Sequence, residues 1–236
     1  MRGTICTLLA AALLPATSMA AAGEVSFLEG SATRTPADNK SKAISLAMKG
    51  TVEQGDLVET GANGKLEITL GDKSVVRLGP ASKLKLEEAS FTDTSRSFKG
   101  TLLLGKVWSK VTSVFGSERN FEVTTERAVA GVRGTVFRVD AEKSKAVTVK
   151  VYDGTVAVAG NQAQTSAPAP KKGERVQVAG PKEVTKGEWE KLVGAMMQVK
   201  VSAAGVPTEP TKLSEADEAK DAWTAWNRSR DSVESK

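Results

Sequence analysis

The segment from Phe121 to Val158 reads FEVTTERAVAGVRGTVFRVDAEKSKAVTVKVYDGTVAV, an alternation of apolar and polar residues punctuated by glycine. Side chains repeat every two residues on a strand and every 3.6 on a helix, so this pattern commits the segment to strands with one buried face. Phe121, Val123 and Val129 occupy odd positions, Val132 an even one, and Phe137 and Val139 odd ones again. A regular strand cannot change face. Irregularities are therefore expected at Gly131 and Gly134, as bulges or a sharp bend, which glycine tolerates because it lacks Cβ. Downstream, Asp153-Gly154 separates Val147, Val149 and Val151 from Val156 and Val158. Asp-Gly between alternating strands signals a hairpin, and a two-residue loop would pair Val151 with Val156 and Val149 with Val158.

A second hairpin can be read for register. Leu66, Ile68 and Leu70 share one face of its first strand, and Val76 and Leu78 share one face of the return strand. A three-residue loop at Gly71-Asp72-Lys73 pairs Ile68 with Val76, Leu66 with Leu78 and Glu67 with Arg77. That register buries the aliphatic side chains together and leaves opposite charges on the outer face, where such a pair contributes ~0.2–1 kcal/mol. A two-residue loop would set Leu66 against Arg77, and a one-residue slip inverts every side chain. The longer loop is expected.

The stretch Ala128-Val129-Ala130-Gly131-Val132-Arg133-Gly134-Thr135-Val136-Phe137-Arg138-Val139 resembles the signature of the FecR domain, named after the iron-dicitrate signalling regulators of bacterial envelopes. The resemblance extends upstream through VETGANGKLEITLGDKSVVRLGPASKLKL (Val58 to Leu86) and GTLLLGKVWSKV (Gly100 to Val111), in the same order. It implies a mainly antiparallel all-β body, sandwich-like or a short solenoid. Gly131, Gly134, Thr135 and Phe137, with Asp153 and Gly154, are its structural motif. The best-known members carry a cytoplasmic domain that controls a sigma factor, one membrane span, the FecR domain and often a small domain that meets a TonB-dependent receptor. In place of the first two, this chain opens on what looks like a cleavable leader.

That leader reads Arg2, an apolar stretch from Ile5 to Leu14, Pro15, then small residues ending Ser18-Met19-Ala20. A charged start, short apolar core and small-residue exit describe a signal peptide over residues 1–20. The apolar stretch falls short of the roughly 20 residues a bilayer span needs. Cys6 lies before the apolar core, so no lipid anchor is expected, and no span is expected in the mature chain. The chain holds 33 basic and 28 acidic residues, no histidine and one cysteine, a net charge of +5. Without the leader it has neither thiol nor imidazole. Nucleophilic sites that need a histidine base are excluded, a zinc site loses its preferred ligands, and disulfides within the monomer are impossible. No enzyme, cofactor or metal site is expected. The mild positive charge has no basic cluster interleaved with aromatics, which argues against nucleic acid and leaves an anionic glycan as a possible ligand.

The strands are expected to run over 23–180, with the signature core at 58–160, followed by a helical extension over 181–236 and a linker at 202–211. Thr185 and Glu188 fit a capping box ahead of Trp189, Leu192, Val193 and Met196 at helical spacing. A second helix is expected from Ser214, with Ala216, Ala219, Trp223 and Trp226 along one stripe. Three residues are candidates for interaction. Arg133, between two glycines, could grip a carboxylate or a partner loop, although pairing with neighbouring strands is the plainer reading. Trp223 and Trp226 could anchor a partner or pack back on the β-body. Thr124, Thr125 and Thr135 are strand threonines, and Glu87-Glu88 and Asp217-Glu218 have no companion motif for catalysis. The functional reading is a non-catalytic, exported FecR-domain protein acting as an interaction or sensory module with an envelope protein partner. The alternative is an envelope protein that binds glycan or peptidoglycan.

Overall fold

The computed structural model describes residues 21–38, 41–92, 95–112, 118–132, 134–161 and 190–233. Short alternating segments become seventeen strands among these residues. The first are β1 (Gly23–Glu29), β2 (Ala32–Thr35), β3 (Ile44–Ser45) and β4 (Thr51–Val52). Then β5 (Leu57–Thr60), β6 (Lys65–Leu70), β7 (Val75–Leu78) and β8 (Lys83–Phe91) lead into the long β9 (Ser95–Lys110). Next come β10 (Glu118–Thr124), β11 (Ala128–Val132), β12 (Val136–Ala141), β13 (Val147–Asp153) and β14 (Thr155–Gly160). The last are β15 (Glu190–Gly194), β16 (Met197–Val201) and β17 (Thr211–Lys212), followed by helices α1 (Glu215–Lys220) and α2 (Ala222–Val233).

The pairings divide into two sheets that share β9. One runs β4-β1-β6-β7-β9-β12-β13-β16-β17. The other runs β3-β2-β5-β8-β9-β10-β11-β14-β15. Every pair is antiparallel except β9 with β10. The strand passes from one sheet to the other at Gly105, whose φ of 96° lies in the left-handed region. A Cβ there would meet Ser82, so both space and backbone require glycine. Inward residues of both sheets form one apolar cluster, from Val25, Ile68 and Val149 on one side to Leu84, Phe98 and Val158 on the other. Phe121 meets Phe137 edge to face across the gap, with ring centroids 6.2 Å apart. Burying each such side chain contributes roughly 1.5–3 kcal/mol, so the core of a chain without disulfides rests on these faces.

The hairpin around Gly71 has the register derived from its alternation. Leu66 faces Leu78, Glu67 faces Arg77 and Ile68 faces Val76. Three other expectations are corrected. Asp153-Gly154 does not close a hairpin. β13 belongs to the first sheet and β14 to the second, so the positive φ of Gly154 turns the chain from one layer to the other. The valines Val149, Val151, Val156 and Val158 are all buried, but they line opposing sheets instead of one ribbon. In the signature, Gly131 sits in regular pairing with Glu122 and Ala157, without a bulge. The inward face of β11 is Ala128 and Ala130, and Val129 is only half-buried. One phase change remains, and it is a corner at Gly134 (φ 61°), between β11 in one sheet and β12 in the other.

The third correction lies further on. Residues 190–201, expected as a helix, form the β15 and β16 strands, with Met196 at a φ of 58° between them. Val199 and Val201 alternate inward there, and their period of two outweighs the helical spacing of Leu192, Val193 and Met196. The β-body therefore continues well past residue 180. The leader, Arg133, the capping box at Thr185 and the strand expected at Gly173 to Val178 lie outside the described residues.

Candidate functional site

The outer face of the first sheet carries the most unusual chemistry in the chain. Strand pairing places Phe27 beside Glu67, Glu67 beside Arg77, Arg77 beside Trp108, Trp108 beside Arg138, and Arg138 beside Lys150. These residues alternate with core positions on their own strands, so each points away from the apolar cluster. They form one row across β1, β6, β7, β9, β12 and β13. On an open sheet such a row would be solvated. Here Glu67, Arg77, Trp108 and Arg138 are all buried, because α1 and α2 lie across them.

Ser214 caps α1 by accepting from the Asp217 backbone N–H. Asp221 ends α1 and starts α2. Its Oδ1 accepts from the backbone N–H groups of Trp223 (2.9 Å) and Thr224 (3.1 Å), while its Oδ2 accepts from Arg138 at 2.6 Å. One carboxylate thus serves as a local cap and as a tertiary anchor. The break at Asp221 also overturns the expected stripe. Ala216 and Ala219 face solvent, and the buried residue of α1 is Glu218.

The helices answer the row charge by charge. Glu218 accepts from Lys150 at 2.5 Å and from the Tyr152 hydroxyl at 2.7 Å. Arg138 meets Asp221, Thr224 and its strand neighbour Asp140. Asp231 accepts from Arg77 at 2.5 Å and from the Trp108 indole at 3.1 Å. At the row's acidic end the sign inverts. Arg230 grips Glu67 with two bonds of 2.7 and 2.8 Å, and Arg77 and Ser26 donate to the same carboxylate at 2.6 and 2.7 Å. The pair expected on a solvated outer face is therefore a buried hub, and the energetics of exposed pairs do not apply to it.

Aromatic rings fill the spaces between these charges. Trp226 stacks on Trp223 at 5.0 Å and tilts against Phe27 at 5.3 Å, and the Arg230 guanidinium lies 4.4 Å from the Phe27 ring centre. Trp108 stacks on Tyr152 at 4.4 Å. Trp223 lies over Gly79, where a Cβ would approach its ring within 3.3 Å. Both helix tryptophans thus pack back on the β-body, Trp223 buried and Trp226 half-buried.

The titration of the row follows from its geometry. Burial opposes the charge on Glu67, but hydrogen bonds from Arg230, Arg77 and Ser26 outweigh it and bring its pKa down to about 2. Burial likewise resists ionisation of Glu218 and Asp221, and bonds from Lys150 and Arg138 respectively hold both below the usual carboxylate range. Tyr152 is pushed up, first by burial and then by the Glu218 charge it donates to. In Glu67, Glu218 and Asp221 these bonds favour the ionised form, so the arrangement holds their charge in place.

The signature residues lie elsewhere. Gly134, Thr135 and Asp153 line an open cleft at one end of the sheets, together with Lys73 and Lys110. The Thr135 hydroxyl is buried and meets no hydrogen-bond partner among the described residues. Sequence reasoning named Trp223 and Trp226 and paired Glu67 with Arg77, but it read that pair as solvated and missed Trp108, Arg138, Lys150 and Tyr152. Their signal was a charged or ring residue at the outward position of successive strands.

Comparison with known proteins finds likeness over part of the chain. Residues 56–157 match the family model described as FecR protein. No curated protein matches the chain. Among solved structures, two crystal structures described as a "putative anti-sigma factor" from Parabacteroides distasonis ATCC 8503, at 2.50 and 1.65 Å, are similar at 18% identity and a TM-score of 0.47. In each case 66% of this chain and 59% of the other is covered, so the likeness spans about three fifths of that protein's length.

Proposed function

The chain carries a FecR domain over residues 56–157, and we infer that it is a non-catalytic regulatory or sensory module of the bacterial cell envelope that works by touching another protein. The family match is the observation that carries this reading. One feature of the chain supports it. The charge-bearing groups brought together on the first sheet are paired with the C-terminal helices and hold them in place. The leader pattern over residues 1–20 supports export, with the mature chain acting in the periplasm or outside the cell.

Expression of the tagged full chain in a Gram-negative host, followed by osmotic-shock fractionation and cross-linking, tests this. The expected result is a shortened chain in the periplasmic fraction, cross-linked to one protein partner. A full-length chain held in the cytoplasm contradicts export. Co-sedimentation with purified peptidoglycan in place of a protein cross-link moves the assignment to glycan binding.

A further inference from the structure

We propose that the cleft at the end of the sheets binds a short extended peptide with free termini, about four residues long by the reach of an extended chain. Its carboxylate meets Lys73 and its ammonium meets Asp153. Such a site goes beyond the regulatory reading. Binding is measured on the purified chain alone, so the site stands or falls without export or an envelope partner.

Strand register builds the cleft. Thr69, Val75, Lys110, Val136 and Asp153 are successive cross-strand neighbours on β6, β7, β9, β12 and β13. Thr69, Val75, Lys110 and Val136 each lie two positions along the strand from Glu67, Arg77, Trp108 and Arg138, so they form the next rung on the same face. α2 reaches its end beside this rung. Lys110 donates to the Asp231 carbonyl at 3.2 Å, and the helix stops two residues later at Val233. Beside it opens a cleft of about 540 Å³, within the range of roughly 300–1,000 Å³ usual for ligand sites.

The two ends of the cleft carry opposite charges that the fold leaves unused. Lys73, in the turn between β6 and β7, and Asp153, at the end of β13, are both exposed. Neither makes a hydrogen bond or ion pair among the described residues. β7 and β13 are three strand spacings apart, roughly 14 Å at about 4.8 Å each, so the two charges do not satisfy one another. A ligand of one sign leaves one end unmatched, whereas a zwitterion of the right length meets both. An extended chain of four residues spans about 13–14 Å and carries its ammonium and carboxylate at opposite ends.

Between the charged ends the lining is Val75, Val111 and Val136, and no aromatic ring lines the cleft among the described residues. Small apolar side chains suit that lining, whereas a nucleobase finds no ring to stack on. Thr135 stands in the wall, its hydroxyl oxygen buried and without a hydrogen-bond partner among the described residues. Leaving a buried hydroxyl unpaired is unfavourable, and a peptide amide entering the cleft supplies the missing bond. Gly134, Thr135 and Asp153, read from the sequence as parts of one structural motif, thus converge on this cleft.

The probe is tetra-alanine with free termini, titrated to millimolar concentration into the purified, nitrogen-15-labelled chain and followed by amide NMR. The amides of Gly134, Thr135 and Asp153 are expected to shift together and saturate. Amidating the peptide carboxylate, or acetylating its amine, should each weaken binding ~2–5-fold, the range of one partly exposed ion pair. Free alanine is too short to reach both ends and should bind at least ~5-fold more weakly than the tetrapeptide. Lys73→Ala should erase the effect of amidation alone, and Asp153→Asn that of acetylation alone. Both side chains are exposed, so neither variant threatens the fold. Absence of a saturable shift at the cleft, equal binding of the doubly capped peptide, or alanine binding as tightly as tetra-alanine overturns the proposal. Shifts of the same amides by an N-acetylglucosamine oligomer, with none from tetra-alanine, overturn it in favour of a glycan.

Discussion

Replacing Glu67 by glutamine removes one charge and little volume from the centre of the buried row. In the folded protein Glu67 receives four bonds of 2.6–2.8 Å from Arg230, Arg77 and Ser26, and its pKa falls from 4.5 to about 2. Each pKa unit corresponds to ~1.4 kcal/mol, so the ionised carboxylate contributes about 3 kcal/mol of stability at neutral pH. Removing one member of a buried ion pair costs roughly 3–5 kcal/mol, because the partner charge stays behind. Arg77 keeps Asp231, and the side chain of Arg230 is 28% exposed and can turn to water, so the low end applies. A loss of about 3 kcal/mol is expected for Glu67→Gln in urea denaturation followed by tryptophan fluorescence at pH 7. The pH dependence has a fixed sign. A carboxylate whose folded pKa lies below its unfolded value contributes fully above about 4.5, and that contribution is lost as pH falls to about 2. The gap between wild type and Glu67→Gln should therefore close across that window. A loss under about 0.5 kcal/mol at pH 7, or a gap that does not change with pH, refutes the buried-hub account.

Three further outcomes follow from the structure. Trp226→Ala removes the ring between Trp223 and Phe27 and should cost about 2–3 kcal/mol, below the full range for a buried tryptophan because the site is half-exposed; loss of near-UV circular dichroism checks it, and an unchanged spectrum contradicts it. Gly105→Ala places a Cβ against Ser82 at a left-handed φ, where β9 changes sheet, and should cost about 3 kcal/mol or abolish folding, measured by the same denaturation. The signature glycines should separate. Gly131→Ala meets nothing within 4 Å and should lie within about 1 kcal/mol of wild type, whereas Gly154→Ala (φ 81°, Cβ 2.6 Å from the Thr135 methyl) should be strongly destabilised; equal thermal midpoints for the two would contradict the corner assignment.

The parts legible in the sequence were those fixed by local period. Leu66, Ile68, Val76 and Leu78 determined both the strands and the register around Gly71, since a slip of one residue would have turned them outward. The helical start at Ser214 was expected from the stripe of Ala216, Ala219, Trp223 and Trp226; α1 does begin after Ser214, which caps it, although Ala216 and Ala219 face solvent. Errors arose where one local pattern serves two global arrangements. Asp153-Gly154 specifies a turn with positive φ, but not whether the next strand returns beside the last or crosses to the opposing sheet. Gly194 and the alternation of Val199 and Val201 could have marked 190–201 as a hairpin, had they been weighed against the helical spacing upstream. The row itself was hidden for a different reason. Glu67 and Arg77 look identical on a solvated face and under a helix, and what covers them, Arg230 and Asp231, comes more than 150 residues later. Matching outward charges on consecutive strands against the charges of the terminal helices was the available signal.

Amide hydrogen exchange over α1 and α2 in the full chain tests the central claim most directly. A helix pair held on the sheet by the Glu67, Arg77, Arg138 and Lys150 contacts should show protected amides from Glu218 to Asp231, with protection falling in Glu67→Gln. Exchange at the rate of a free peptide of the same sequence, in the wild-type chain at neutral pH, would contradict it.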